Sequence, residues 1–425
     1  MKGGGCGKAG RGAWLTWIGG IMLLLLCLAL QSARANPTGS ALPGLDSFDA
    51  EMAALLEKWR IPGGSLAVSV NGRIVLARGY GLADREKMIP VQPTTVFRLA
   101  SLAKPLTAAA ILQLVEAGRF RLDDAVIPLL GEIGPRPGAI TDPRVHRITV
   151  RHLLQHTGGF DRDVSGDAVF MPHAAAAARR QKAPLPPSCE TVLRDSLERK
   201  LDFEPGGRYA YSNIGYCILG RIIERGSGLS YGEYMRQHIL EPSGATGLRL
   251  AQTFPSHADE AAYYGYPGEP LVPAMAGIGS SQTVLAPYGG FALEAMDSYG
   301  GWVGSAQDYL RFLTAIDGQR GKPLLQLPIR MEMLARPVGI EQKTPYYGLG
   351  FLVRPLKNGV NWWHAGSLSG TKSFAVRTAA GYAWVAAFNN RPKDRDGFAR
   401  DLDEGLWRAA KAVKTWPKGD LFPVP

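Results

Sequence analysis

The sequence predicts an α/β fold in which one antiparallel sheet, flanked by helices, is built from both chain ends and an all-α subdomain is inserted between them. Three observations lead there. Strand-like alternation is confined to residues 65–80 and 348–389, the stretch from Ser101 to about Leu240 is mostly helical, and Asn71-Gly72 between two apolar runs is a strong hairpin signal. The α/β part then comprises residues 46–100 and 300–415, and the mainly helical part residues 101–299.

Taken in order, residues 46–60 have helical spacing, Ser65 to Val70 alternates as a strand, and residues 73–80 form its return. Leu102 to Gly118 is an alanine- and leucine-rich helix, Thr149 caps a short one reaching Gln155, and further helices are expected over Glu190 to Lys200 and Ile214 to Arg225. Residues 262–300 are rich in Gly, Pro, Tyr and Ala, which suggests a long ordered loop. Ser305 to Asp308 caps a helix to about Ile316. Strands follow at Gly348 to Arg354, Val360 to Ala365, Thr371 to Thr378 and Tyr382 to Asn389, then a helix from Asp396 to Val413.

The first 35 residues differ from the rest. Lys2, Lys8 and Arg11 precede an apolar run from Ala13 to Leu30, and Ala33-Arg34-Ala35 offers small residues for a signal peptidase. Export to the periplasm or the extracellular space, with cleavage before Asn36, is the expectation. An uncleaved inner-membrane anchor is the alternative, since 18 apolar residues just span a bilayer. Removing the segment takes four of 48 basic residues and none of 37 acidic ones, so the net charge falls from +11 to +7. No basic run with interleaved aromatics points to nucleic acid. Of four cysteines, Cys189 and Cys217 remain. They could pair in an oxidising compartment, but Cys217 lies in an apolar run and reads more simply as a buried thiol.

Several short motifs compete for a chemical role. Gly228-Leu229-Ser230-Tyr231-Gly232 fits a nucleophile elbow, but a helix rather than a strand precedes it, and Ser230 with Glu233 makes a capping box. His152 and His156 are four apart, yet the glutamate of a zinc protease is missing, so both read as structural. Ser-x-x-Lys occurs at Ser101 to Lys104 and at Ser369 to Lys372. Only the first begins a helix, where a three-residue spacing puts amine and hydroxyl on one face. The apolar neighbours Ala103, Pro105 and Leu106 would bury Lys104 and depress its pKa toward that of a base. Tyr211-Ser212-Asn213 opens another helix, with a phenol to shuttle a proton and an amide to orient. His364-Ala365-Gly366-Ser367 ends an edge strand whose small residues admit a substrate backbone and aim an N–H at a developing oxyanion.

The ordered set Ser-x-x-Lys, Tyr-x-Asn, His-x-Gly at 101, 211 and 364 resembles the serine β-lactamase and penicillin-binding-protein superfamily. The likeness is to its branch of class C enzymes, D-stereospecific peptidases and family VIII esterases. Phe97 to Ala100, Leu153 to Gly159, Pro205-Gly206, Gly300-Gly301 and Tyr347 to Gly350 resemble it too, so the likeness spans about residues 46–410. It implies the β-lactamase/transpeptidase-like fold and a serine hydrolase domain over residues 46–415. It also implies Ser101 as acylated nucleophile, Lys104 and Tyr211 as coupled base and acid, and Asn213, His364 and Gly366 as orienting or substrate-binding residues. The backbone N–H groups of Ser101 and Ser367 would form the oxyanion hole, and no metal or organic cofactor is implied. The class A Glu-x-x-Leu-Asn is absent, and His364 replaces the lysine usual in penicillin-recognising members. Histidine is largely neutral at pH 7, so a neutral ester or amide is the expected substrate, with a carboxylesterase the first reading. D-amino-acid amides or peptides, as for a DD-carboxypeptidase, and β-lactams are the alternatives. A secreted penicillin-binding or sensor module without turnover is the reading from another class.

Overall fold

The computed structural model describes residues 1, 3, 37–275 and 282–422. The chain divides into a segment Met1–Pro37 and a unit Thr38–Pro425. The expected export segment, with Cys6 and Cys27, lies outside the described residues but for its positions 1 and 3.

The unit is organised on one antiparallel sheet. Its amino-terminal strands are β1 (Thr38–Ala41), β2 (Gly63–Val70) and β3 (Arg73–Asp84). Its carboxy-terminal strands are β4 (Tyr346–Tyr347), β5 (Leu352–Leu356), β6 (Gly359–Leu368), β7 (Thr371–Arg377) and β8 (Tyr382–Phe388). The order is β1-β3-β2-β8-β7-β6-β5-β4, so the two chain ends meet where β2 pairs with β8. Asn71 and Gly72 turn the β2–β3 hairpin with φ of 46° and 78°, the left-handed pair that Asn-Gly tolerates best.

Side-chain alternation divides the core. Leu66, Val68 and Val70 of β2, with Trp384 and Phe388 of β8, face helices α1 (Asp46–Trp59) and α8 (Arg395–Ala412), which contribute Phe48, Met52, Phe398 and Leu402. Ala67, Ala383 and Val385 face the opposite side, where α2 (Ala103–Glu116) and α7 (Ala306–Ala315) pack. Between them lie α3 (Val150–Leu154), α4 (His173–Gln181), α5 (Cys189–Leu197) and α6 (Asn213–Ser227). Thr149, Ser212, Ser230 and Ser305 accept the N-cap hydrogen bonds that their spacing suggests.

Three expectations need correction. Cys189 and Cys217 form a disulfide, their Cα atoms 5.8 Å apart. The apolar run around Cys217 buries α6 against α5, and that contact is what brings the sulfurs together. Second, β6 runs on to Leu368 rather than ending at Ala365, and it is an edge for only part of its length. Residues 359–363 pair with β5, whereas 364–368 pair with β7 alone among the described strands. Third, Gly348 to Phe351 is not strand, because Gly348 N–H closes a turn onto the Phe351 carbonyl. The loop after residue 262 holds a hairpin, Val272–Pro273 with Thr283–Val284, and a short 3-10 turn at Leu293–Met296.

Candidate active site

Ser101 lies in a single 3-10 turn, Ala100–Leu102, that runs directly into α2. The turn is held against the sheet from outside. Thr371 Oγ1 donates to the Arg98 carbonyl at 3.0 Å and Ser373 Oγ to the Leu99 carbonyl at 2.7 Å, both from β7. The Leu99 N–H donates to Trp302 O at 2.8 Å. Ala100 has φ 48°, a left-handed conformation that a side chain resists unless its surroundings impose it. Gly366 is part of those surroundings, because a Cβ there would stand 2.2 Å from Leu99 O and 2.1 Å from Ser373 Oγ. Its small size therefore serves the approach of β6 to the Ser101 turn.

Lys104, one helical turn on, is fully buried. Its Nζ is 3.3 Å from Ser101 Oγ, 2.7 Å from Asn213 Oδ1 and 2.9 Å from the Tyr299 carbonyl. The Tyr211, Tyr216 and Tyr299 rings lie 4.9, 5.6 and 5.8 Å from it. Burial pushes the amine well below its ordinary range, Asp167 opposes that shift, and Arg162 adds to it. Burial pushes the Tyr211 phenol up, while its hydrogen bond with Ser101 pulls the other way. Ser101, Lys104, Tyr211 and Asn213, drawn from two helix starts 110 residues apart, thus share one site because α2 and α6 pack together.

His364 is 3% exposed. Its Nδ1 lies 2.9 Å from Ala365 O and its Nε2 3.0 Å from Tyr347 Oη. A carbonyl can only accept, so Nδ1 carries the proton and the Tyr347 hydroxyl donates to Nε2. Burial, with Lys104 nearby, pushes the ring down to about 3. A neutral ring with both nitrogens engaged braces Tyr347 against β6. Ser367, three residues on, is partly exposed on the stretch of that strand that pairs with β7 alone among the described strands.

Other participants were not evident from sequence. His156, with φ 57°, accepts from the Ser212 N–H at 3.1 Å and packs on Tyr211 with ring centroids 4.3 Å apart. Its structural role is to hold the loop that carries Tyr211. Asp167 accepts from Asn213 Nδ2 at 2.7 Å, and the Arg162 guanidinium lies 4.9 Å from the Tyr211 ring centroid. An Asp or Arg in a polar loop looks like any solvated charge, so only the Leu153 to Gly159 likeness pointed toward this region. Ser369 donates to Glu269 rather than meeting Lys372, and Ser230 caps a helix, as their contexts suggest. Among the described residues no cluster of His, Cys, Asp and Glu could hold a metal ion.

A family model described as Beta-lactamase matches residues 48–405. The chain is 30% identical over 350 residues to Esterase EstB of Burkholderia gladioli, covering 76% of this chain and 83% of that protein. Its fold is similar to that of the D-amino acid amidase from Ochrobactrum anthropi SV3. The TM-score there is 0.67 at 22% identity, covering 87% of this chain and 99% of the other. It is also similar to the octameric penicillin-binding protein homologue from Pyrococcus abyssi, with TM-score 0.64, 23% identity, and coverage of 87% and 79%.

Proposed function

Because the chain belongs to the beta-lactamase family and is a serine hydrolase, we propose that it acts as a carboxylesterase on small neutral esters, through an acyl-enzyme at Ser101. One observation carries the chemistry. Of the three partners of Lys104 Nζ, Asn213 Oδ1 and Tyr299 O are acceptors only. A neutral amine has two N–H groups and one lone pair. The two N–H groups go to those oxygens, so the lone pair faces Ser101 Oγ and takes its proton as Ser101 attacks the ester carbonyl.

Tyr211, kept protonated by burial, gives its proton to the departing alkoxide, and the alcohol leaves. The resulting phenolate takes a proton from water, whose hydroxide attacks the acyl carbonyl. Lys104 returns its proton to Ser101 Oγ as the acid is released, so every group ends as it began. The N–H groups of Ser101 and Ser367 are the proposed oxyanion donors.

The substrate class rests on two supports. His364 supplies no cation where penicillin-recognising relatives carry lysine, and Esterase EstB is named for ester hydrolysis. Export belongs to the same proposal. It is supported by the pattern of residues 1–35 and by the Cys189–Cys217 disulfide, a bond that persists in oxidising compartments.

The test is a side-by-side assay of p-nitrophenyl butyrate, a D-phenylalanine anilide and nitrocefin, with mass spectrometry of a fluorophosphonate adduct. Ester turnover, an adduct on Ser101, and loss of both in Ser101→Ala are expected. Rapid nitrocefin or anilide turnover beside negligible ester cleavage would remove the esterase reading. An unlabelled Ser101 would leave a non-reactive binding module.

A further inference from the structure

The Asn213 amide meets Lys104 and Asp167 at once, with Oδ1 2.7 Å from Lys104 Nζ and Nδ2 2.7 Å from Asp167 Oδ2. An amide has no intrinsic preference between its two orientations; its partners choose. Flipped by 180°, Asn213 would aim Nδ2 at the lysine, and two donors would face each other in a buried site. A lysine amine does not prevent this firmly, because in its neutral form it can also accept. A carboxylate has no proton to give, so its presence on the other side requires Nδ2 there and Oδ1 toward Lys104.

We propose that Asp167 is a positioning residue for acyl transfer, holding the Asn213 amide in the one orientation that directs the Lys104 lone pair at Ser101. The inference rests on the acyl-enzyme reading above and extends it to a residue outside the three motifs. Asp167 is itself held: it caps the backbone turn through the Val169 N–H at 3.5 Å, and it lies beside Asn213 and Ile214 at the start of α6, in a polar cleft with Arg162, His173 and Arg199.

The same carboxylate acts on Lys104 by charge. The groups facing the amine are Asn213, Tyr211 and Tyr216 from α6 and the loop before it, Tyr299 from the loop after residue 262, His156 after α3, His364 from β6, and Arg162 with Asp167 from the loop between α3 and α4. Of these, Asp167 is the one carboxyl, and its charge favours the protonated amine while burial and Arg162 oppose it; burial raises the Asp167 carboxyl itself, against the pull of its Asn213 hydrogen bond and of Lys104 and Arg162. Since the mechanism needs neutral Lys104, removing the Asp167 charge shifts the acid limb of activity to lower pH.

The experiment measures the rate of Ser101 labelling by a fluorophosphonate against pH in the full chain, for wild type, Asp167→Asn, Asp167→Glu, Asn213→Ala and the Asp167→Asn/Asn213→Ala pair. Asp167→Asn is expected to label about tenfold more slowly on the plateau, with the acid limb about one pH unit lower. Asp167→Glu keeps the limb, and in the Asn213→Ala background Asp167→Asn produces no further plateau loss. A wild-type plateau and limb in Asp167→Asn would overturn the proposal, as would a loss that persists without Asn213. If thermal melting shows Asp167→Asn unfolded, Asp167→Glu decides: it keeps the charge but displaces the oxygen, so a slower plateau with an unmoved limb is expected, and an unchanged plateau overturns the proposal. An unlabelled wild-type enzyme sinks the acyl-enzyme reading instead, so the two failures are distinct.

Discussion

Lys104 Nζ stands closer to Asn213 Oδ1, at 2.7 Å, than to Ser101 Oγ, at 3.3 Å. The amine is thus anchored first by an amide and only then directed at the nucleophile. Replacing Lys104 with methionine keeps the length and apolar packing of the chain but removes the base. A loss of 10²-fold or more in kcat/KM is expected. Stability falls modestly, by about 1–3 kcal/mol, because Asn213 Oδ1 and Tyr299 O lose their donor. Ester kinetics and thermal melting on one preparation separate the two effects; wild-type turnover would exclude Lys104 as the base.

Gly366→Ala tests the contact between β6 and the nucleophile turn. The new Cβ meets the Leu99 carbonyl, which is backbone and cannot rotate aside. The expected cost is about 1–3 kcal/mol, and displacement of the Ser101 turn adds a rate loss that can reach about 10²-fold for a shift near 1 Å. Activity equal to wild type in a folded Gly366→Ala would show that the turn absorbs the clash.

The pH dependence of substrate choice follows from His364. Its pKa is lowered to about 3, so the ring gains a proton only as pH falls toward that value and is uncharged between pH 5 and 8. The ratio of kcat/KM for a neutral ester to that for an isosteric carboxylate-bearing ester should therefore show no inflection near pH 6.5 that His364→Gln abolishes. Such an inflection, lost in the variant, would place a charged histidine at the site.

Opening the disulfide should destabilise the helical half. Its cysteines are 28 residues apart, and closing a loop of that size is worth about 3–4 kcal/mol. The Cys189→Ala/Cys217→Ala double variant is expected to melt lower and to keep its kcat, because neither residue touches Ser101, Lys104 or Tyr211. An unchanged melting point in non-reducing buffer would argue that the bridge does not form.

Much of this arrangement was legible because it is local. Ser101 and Lys104 are three apart at a helix start, and Ser212 caps the helix that follows Tyr211, so spacing and capping chemistry expose both. The hairpin at Asn71-Gly72 is equally local. Asp167 was not legible: its partner Asn213 is 46 residues away, and nothing near it in the chain distinguishes it from a solvated aspartate. The same holds for Tyr347 with His364, for the Tyr299 carbonyl, and for the Cys189–Cys217 pairing.

By itself, then, the sequence determined most of the strands and helices, the candidates for nucleophilic and proton-transfer chemistry, and the family to which their order belongs. Backbone periodicity and short-range hydrogen bonds act over a few residues, so the order of side chains carries them. Only the tertiary structure decided which groups surround Lys104 and His364, the orientation of the Asn213 amide, and the reason Gly366 must be small. Each depends on which distant groups exclude water from a side chain or supply its partner, and packing alone sets that.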